Sequence, residues 1–104
     1  MAQMIVIYKV PRDPAAFDRH YFQVHLPLAR RLPGLRACET SRGTVISLYG
    51  ADEAHLVSTL HFDSLSELNA AFTSECGRAC AADRWRLVPH ASDVQMFLFD
   101  CRSV

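Results

Sequence analysis

The stretch "MIVIYKVPRDPAAFDRHYFQVHLPLARRLPG" (Met4–Gly34) contains a strand, a stop and the start of a helix in immediate succession. Met4–Val10 is a short apolar run rich in β-branched residues, and Pro11 closes it, which predicts a strand apolar on both faces. Asp13 then offers an N-cap oxygen, and Pro14 falls at the first helical position, where its missing N–H costs nothing. At about 100° per residue, Phe17, Tyr21, Val24, Leu28 and Leu32 converge on one helix face, and Pro33–Gly34 ends the helix. Within that helix, His25 lies on the buried side of the apolar face, two residues before Pro27. Proline in a helix interior removes a donor and crowds the carbonyl four residues back, at a cost of about 3 kcal/mol. Here it leaves the Gln23 carbonyl without its helical donor and is expected to push Leu26 out of α geometry, opening a gap that the imidazole faces.

Beyond this unit, Leu35–Gly50 reads as extended, first "LRACET" and then "TVISLYG" around a turn or bulge at "SRG". "HLVSTLHF" (His55–Phe62) reads as a strand, on which His55 and His61 share one face by period two. "SLSELNAAF" reads as a second helix, with Ser64 and Glu67 at capping-box spacing. "ECGRACAADRWRLV" follows as a third helical stretch, and "DVQMFLFD" (Asp93–Asp100) closes the chain as a strand. The order β-α-β-β-α-β is the ferredoxin-like pattern, an α+β sandwich, and residues 1–104 form a single domain. Apolar residues at both odd and even strand positions demand cover on both faces of the sheet. The two helices can cover one face, and in so short a chain the other is expected to meet another subunit, so the pattern points to a homodimer packed sheet on sheet.

Composition narrows the function. The 11 basic and 11 acidic residues balance, with no basic stripe for nucleic acid. No apolar run approaches the roughly 18 residues of a membrane span, and no signal peptide is evident, so a cytoplasmic protein is expected. The four cysteines are too scattered for a disulfide framework. Cys76 and Cys80, four apart on one helix face, have the spacing for two soft-metal ligands, but no third ligand stands near, and burial is the simpler reading. No phosphate loop, dinucleotide fingerprint or nucleophile elbow appears. No cofactor and no metal are therefore expected.

"FDRHYFQVHLPLARRLPGLR" (Phe17–Arg36) resembles the signature of the EthD family, in the dimeric α/β barrel superfamily. "FDSLSELNAAFTSECGRACAADRWRLV" (Phe62–Val88) resembles that family's strand ending in aspartate, "AAF" helix and following helix with an aspartate. The resemblance implies a protomer that pairs with its mate into a barrel and a pocket between helices and sheet. It also implies an association with ether degradation and a cytochrome P450 partner oxidoreductase. The wider superfamily includes cofactor-free isomerases, cyclases and monooxygenases. His25 is the expected general acid or base, since an imidazole pKa of about 6.5 suits proton transfer at neutral pH. Tyr21, Tyr49 and His61 are the expected ligands for polar substrate atoms. Tyr8, His55 and His90 are weaker candidates, Trp85 and Phe72 read as helix-to-sheet packing, and His20 reads as solvated. The substrate would be a small hydrophobic, cyclic or oxygenated compound. The alternative is a non-catalytic binding protein or an accessory to the partner oxidoreductase, and a second titratable group opposite His25 would favour the enzyme.

Overall fold

The computed structural model describes residues 1–50 and 52–104. Strands β1 (Ala2–Lys9), β2 (Ala37–Thr40), β3 (Ala54–Phe62) and β4 (Val94–Asp100) form one antiparallel sheet in the order β2-β3-β1-β4. Together with the helices this is the ferredoxin-like β-α-β-β-α-β arrangement, and within one chain the sheet stays open, with β2 and β4 as free edges. Among the described residues no helix is long and apolar enough to cross a membrane.

The helical layer on one face comprises α1 (Pro14–His20), a π-helical turn (Tyr21–His25), α2 (Leu26–Ala29), α3 (Leu65–Thr73) and α4 (Glu75–Leu87). Its starts follow the sequence. Asp13 Oδ1 accepts from the Ala16 N–H (3.1 Å), Ser64 Oγ from Glu67 (3.1 Å) and Ser74 Oγ from Gly77 (3.1 Å). Each satisfies a helix-terminal donor that has no partner inside its own helix. Gly34 takes φ 81° after Pro33, a turn conformation that side chains with a Cβ avoid.

The expected gap at Pro27 takes a different form. Leu26 keeps α geometry (φ −59°, ψ −45°), and its N–H donates to the Tyr21 carbonyl, five residues back. The extra residue in this wide turn puts Pro27 in the first turn of α2, where no donor is required of it. The turn also moves the buried stripe by one position: Phe17 and Tyr21 are followed inward by His25, Ala29 and Leu32. Val24, expected on that face, is exposed, and Leu28 is half-buried.

The core lies between this layer and the even positions of β1 and β3, with Tyr8, Tyr21, Phe62 and Leu68 almost fully enclosed. Two other expectations need correction. "TVISLYG" is not a strand: it pairs with nothing, and Ile46, Leu48 and Tyr49 stand in solvent. Trp85 packs on no strand; it is exposed, with the Arg84 guanidinium 4.0 Å from its ring centre.

Candidate active site

Asp83 carries the one carboxylate buried among the described residues, at 2 % exposure, on the inner face of α4. Two histidines hold it. His25 Nδ1 lies 2.9 Å from Oδ2, and His20 Nε2 lies 2.9 Å from Oδ1 and 3.0 Å from Oδ2. Arg86 stands 3.9 Å from Oδ1 at the rim. His20 was expected in solvent because five residues of α-helix turn it about 140° away from His25. A turn closed by i→i+5 bonds brings residues five apart round to nearly the same side, so both rings reach one carboxylate. The sequence carried the aspartate and both histidines, but the π turn that joins them leaves no signature of its own.

Charge follows from this geometry. Burial works to raise the Asp83 pKa, yet the hydrogen bonds from His25 and His20 outweigh it and hold the group below the usual carboxylate range. Burial pulls the His25 pKa below its ordinary value, against the opposing pull of the Asp83 hydrogen bond and charge. At neutral pH the pair is therefore an ionised carboxylate and a neutral imidazole. An ionised carboxylate only accepts hydrogen bonds, so the imidazole proton sits on Nδ1 and Nε2 carries the lone pair. Nε2 has no protein partner. Among the described residues no fully buried side-chain nitrogen or oxygen lacks a partner, so Nε2 is not completely sealed off.

His25 also lines a cavity of about 150 Å³ between the helices and the sheet. It shares that lining with Tyr8, Tyr21, Ser58, Cys80 and Arg84, and with carbon from Leu60, Phe72 and Met96. A volume of about 150 Å³ suits a benzene-sized molecule. The Tyr21 hydroxyl donates to Ser58 Oγ (2.9 Å), and burial pushes its pKa up to about 12 although the Ser58 bond works the other way. Burial raises the Tyr8 hydroxyl too, so both phenols remain neutral donors. Cys80 is pushed up to about 12 by burial and is inert as a nucleophile. Ser58 was missed by sequence reading, although its signal was present as a polar residue at an inward strand position between Leu56 and Leu60.

His25 and Tyr21 thus come together, and Tyr49 and His61 do not join them. Tyr49 is 94 % exposed in the irregular segment before β3. His61 alternates with the inward Leu60 and Phe62, so it faces the far side of the sheet, where Nε2 meets Glu39 (2.9 Å). His55 does not share that face as expected. The register slips beside it, between Tyr8 and Lys9, and its ring reaches Asp18 (2.8 Å) and Phe17 on α1. His90 is exposed. A larger groove of about 1160 Å³ lies between the 40–47 segment and the start of β3, lined by the His55–Asp18 pair with Arg42 and Glu53. The buried His25, Tyr21 and Ser58 line the smaller cavity instead. Among the described residues no group of three or more His, Cys, Asp or Glu is placed to hold a metal ion.

The EthD domain profile matches residues 9–90, which include the π turn, both histidines and Asp83. This chain belongs to the EthD family. An uncharacterised 11.0 kDa protein from the thcB–thcC intergenic region of Rhodococcus erythropolis is 37 % identical over 84 residues, 80 % of each chain. The crystal structure of an EthD family protein from Bacillus halodurans superposes with a TM-score of 0.85 at 29 % identity, covering 98 % of this chain and 99 % of that one. SnoaB, a cofactor-independent oxygenase from Streptomyces nogalater, shares the fold at a TM-score of 0.68 and 16 % identity, over 99 % and 94 % of the two chains. The EthD fold is therefore shared with at least one enzyme that works without a cofactor.

Proposed function

We propose that this EthD domain is a cofactor-independent enzyme in which His25 moves a proton on a small oxygenated ring compound held in the 150 Å³ cavity. The observation that carries this reading is the Asp83–His25 pair, with its free Nε2, beside an apolar cavity that His25 lines. A proton taken up at Nε2 makes an imidazolium that the buried Asp83 carboxylate stabilises, so the imidazole is a stronger base than its burial alone would leave it. Tyr8 and Arg84 supply the second titratable group that distinguishes a reactive pocket from a binding one, since either can donate to an oxygen that gains charge as the proton leaves. The carbon lining excludes water and selects apolar rings.

Cyclohexanone in D₂O tests this. It fits the cavity, and its α-protons exchange when a base removes them beside a donor to the carbonyl. The native protein is expected to speed the exchange at least tenfold over His25→Gln. Equal rates for the two proteins would end the proton-transfer role.

We further infer a homodimer packed through the open sheet face. The chain exposes 7003 Å², about 1,100 Å² more than a compact monomer of 11.7 kDa would. A standard interface buries about 800 Å² per partner, so the excess is of the size a second copy would cover. Ile5, Ile7, Phe97 and Phe99 lie on that face, and the phenylalanines are 50 % and 39 % exposed. A sedimentation profile of a monomer at micromolar concentration would overturn the dimer.

A further inference from the structure

The carboxylate that orients His25 is also bound by a second histidine, which the proposed proton transfer does not use. The His20 side chain is 31 % exposed where the His25 side chain is 11 %. Its ring opens on a separate surface groove of about 530 Å³ between α1, the end of β1 and the segment after α4. The cavity and the groove are thus linked through a single buried carboxylate, each lined by one of the two imidazoles that bind it.

We propose that His20 sets the basicity of His25 from the solvent side, through the Asp83 carboxylate that the two share. This inference rests on the reading of His25 as the base and adds a positioning residue to it. With His20 neutral, the full charge of Asp83 is available to the imidazolium that forms at His25. With His20 protonated, that charge is already paired at 2.9 Å, and a second cation stands against the same carboxylate. Proton binding at either histidine therefore opposes binding at the other, and the two titrate as a coupled pair. A charge gained at the exposed ring thus lowers the basicity of the enclosed one.

The remaining charges around the pair are accounted for. Around His20 the groove carries Lys9, Arg12, Asp13, Arg86, His90 and Asp93. On the cavity side His25 faces Tyr8, Cys80 and Arg84. Within hydrogen-bond reach of the two rings, Asp83 is the one charged group. Arg86, at 3.9 Å from Asp83, is a constant cation over the histidine range and cannot produce a step there.

Proton NMR of the histidine ring signals tests this on the intact protein, from about pH 4.5 to 8.5. The His25 signal is identified as the one absent from His25→Gln. In the native protein it is expected to move in two steps, one of them coinciding with the titration of His20. In His20→Gln, which keeps an N–H donor to Asp83 but cannot charge, that step disappears and the His25 midpoint rises by at least half a pH unit. In His20→Lys, a permanent cation at the same carboxylate, the midpoint falls. If His20 only props the carboxylate in place, the glutamine variant leaves the midpoint unchanged, and that result overturns the inference. Should neither variant fold, a single-step His25 curve in the native protein overturns it equally. None of these outcomes depends on the cyclohexanone rate, so the proton-transfer reading and the coupling fail separately.

Discussion

On the helix-covered face of the sheet, Met4, Val6, Tyr8, Leu56, Leu60 and Phe62 are each no more than 8 % exposed; on the other face, Ile5, Ile7, Val57, Phe97 and Phe99 are equally apolar and remain partly open. The polar residues differ in the same way. The covered face adjoins Asp83 and His25, whose hydrogen bonds are complete apart from one nitrogen of the histidine, which lines a cavity. The open face carries His61, paired with Glu39 on the neighbouring strand and lying across the sheet from the cavity. Residue type is therefore a poor guide to function in this fold. Water exclusion makes a histidine on one side a candidate base and leaves one on the other a surface ion pair.

The largest test of this contrast compares two phenylalanines. Phe62→Ala, in the sealed layer, is expected to destabilise the chain by about 3–5 kcal/mol in chemical denaturation. Phe97→Ala is expected to cost the protomer less than about 1 kcal/mol and to show instead as weaker dimerisation in sedimentation. Equal losses of protomer stability would remove the distinction between the faces. Asp83→Ala should lose about 1–3 kcal/mol, since it leaves the buried neutral His25 without its acceptor. Asp83→Asn keeps the shape but lacks the charge, and the His25 ring signal should then titrate lower still.

The packing of α3 on α4 gives an intermediate effect. A Cβ on Gly77 would collide with the Ala71 carbonyl and the Phe72 backbone, so Gly77→Ala should cost about 1–3 kcal/mol by thermal melting. The pH dependence should be smaller. The His25 pKa is lowered in the fold, so as pH falls below about 6.5 the unfolded chain takes up a proton before the folded one does. Stability is thus full above about pH 6.5 and declines below it. The lowered Asp83 pKa acts in the same direction further down: its contribution stands above the usual carboxylate value of about 3.9 and is lost as pH falls through the folded value. A melting temperature that rises on acidification from pH 7 to 5 would contradict the sign for His25. The smallest effect belongs to the solvent-exposed pair Arg36–Asp63, 2.7 Å apart, where Arg36→Met should leave the denaturation midpoint within error.

Much of the framework was legible in the residues. Asp13, Ser64 and the Pro33–Gly34 stop act locally, through hydrogen bonds and dihedral limits that neighbours in sequence determine, so three residues either way are enough to read them. The two-faced apolar strands and the β-α-β-β-α-β order followed from period and spacing. Tertiary structure decided which side chains met. "TVISLYG" has the composition of a strand but finds no edge to pair with. Tyr49 and His61 belong to residue types that suit a site, yet one is in solvent and the other lies across the sheet. Most of all, the sequence placed His25 beside Pro27 and gave no reason to link it to His20 or to Asp83, 58 residues away. That link needs a helix turn one residue too wide, and a second helix packed close enough to bury a carboxylate against it. Both are properties of long-range packing, which no local pattern encodes.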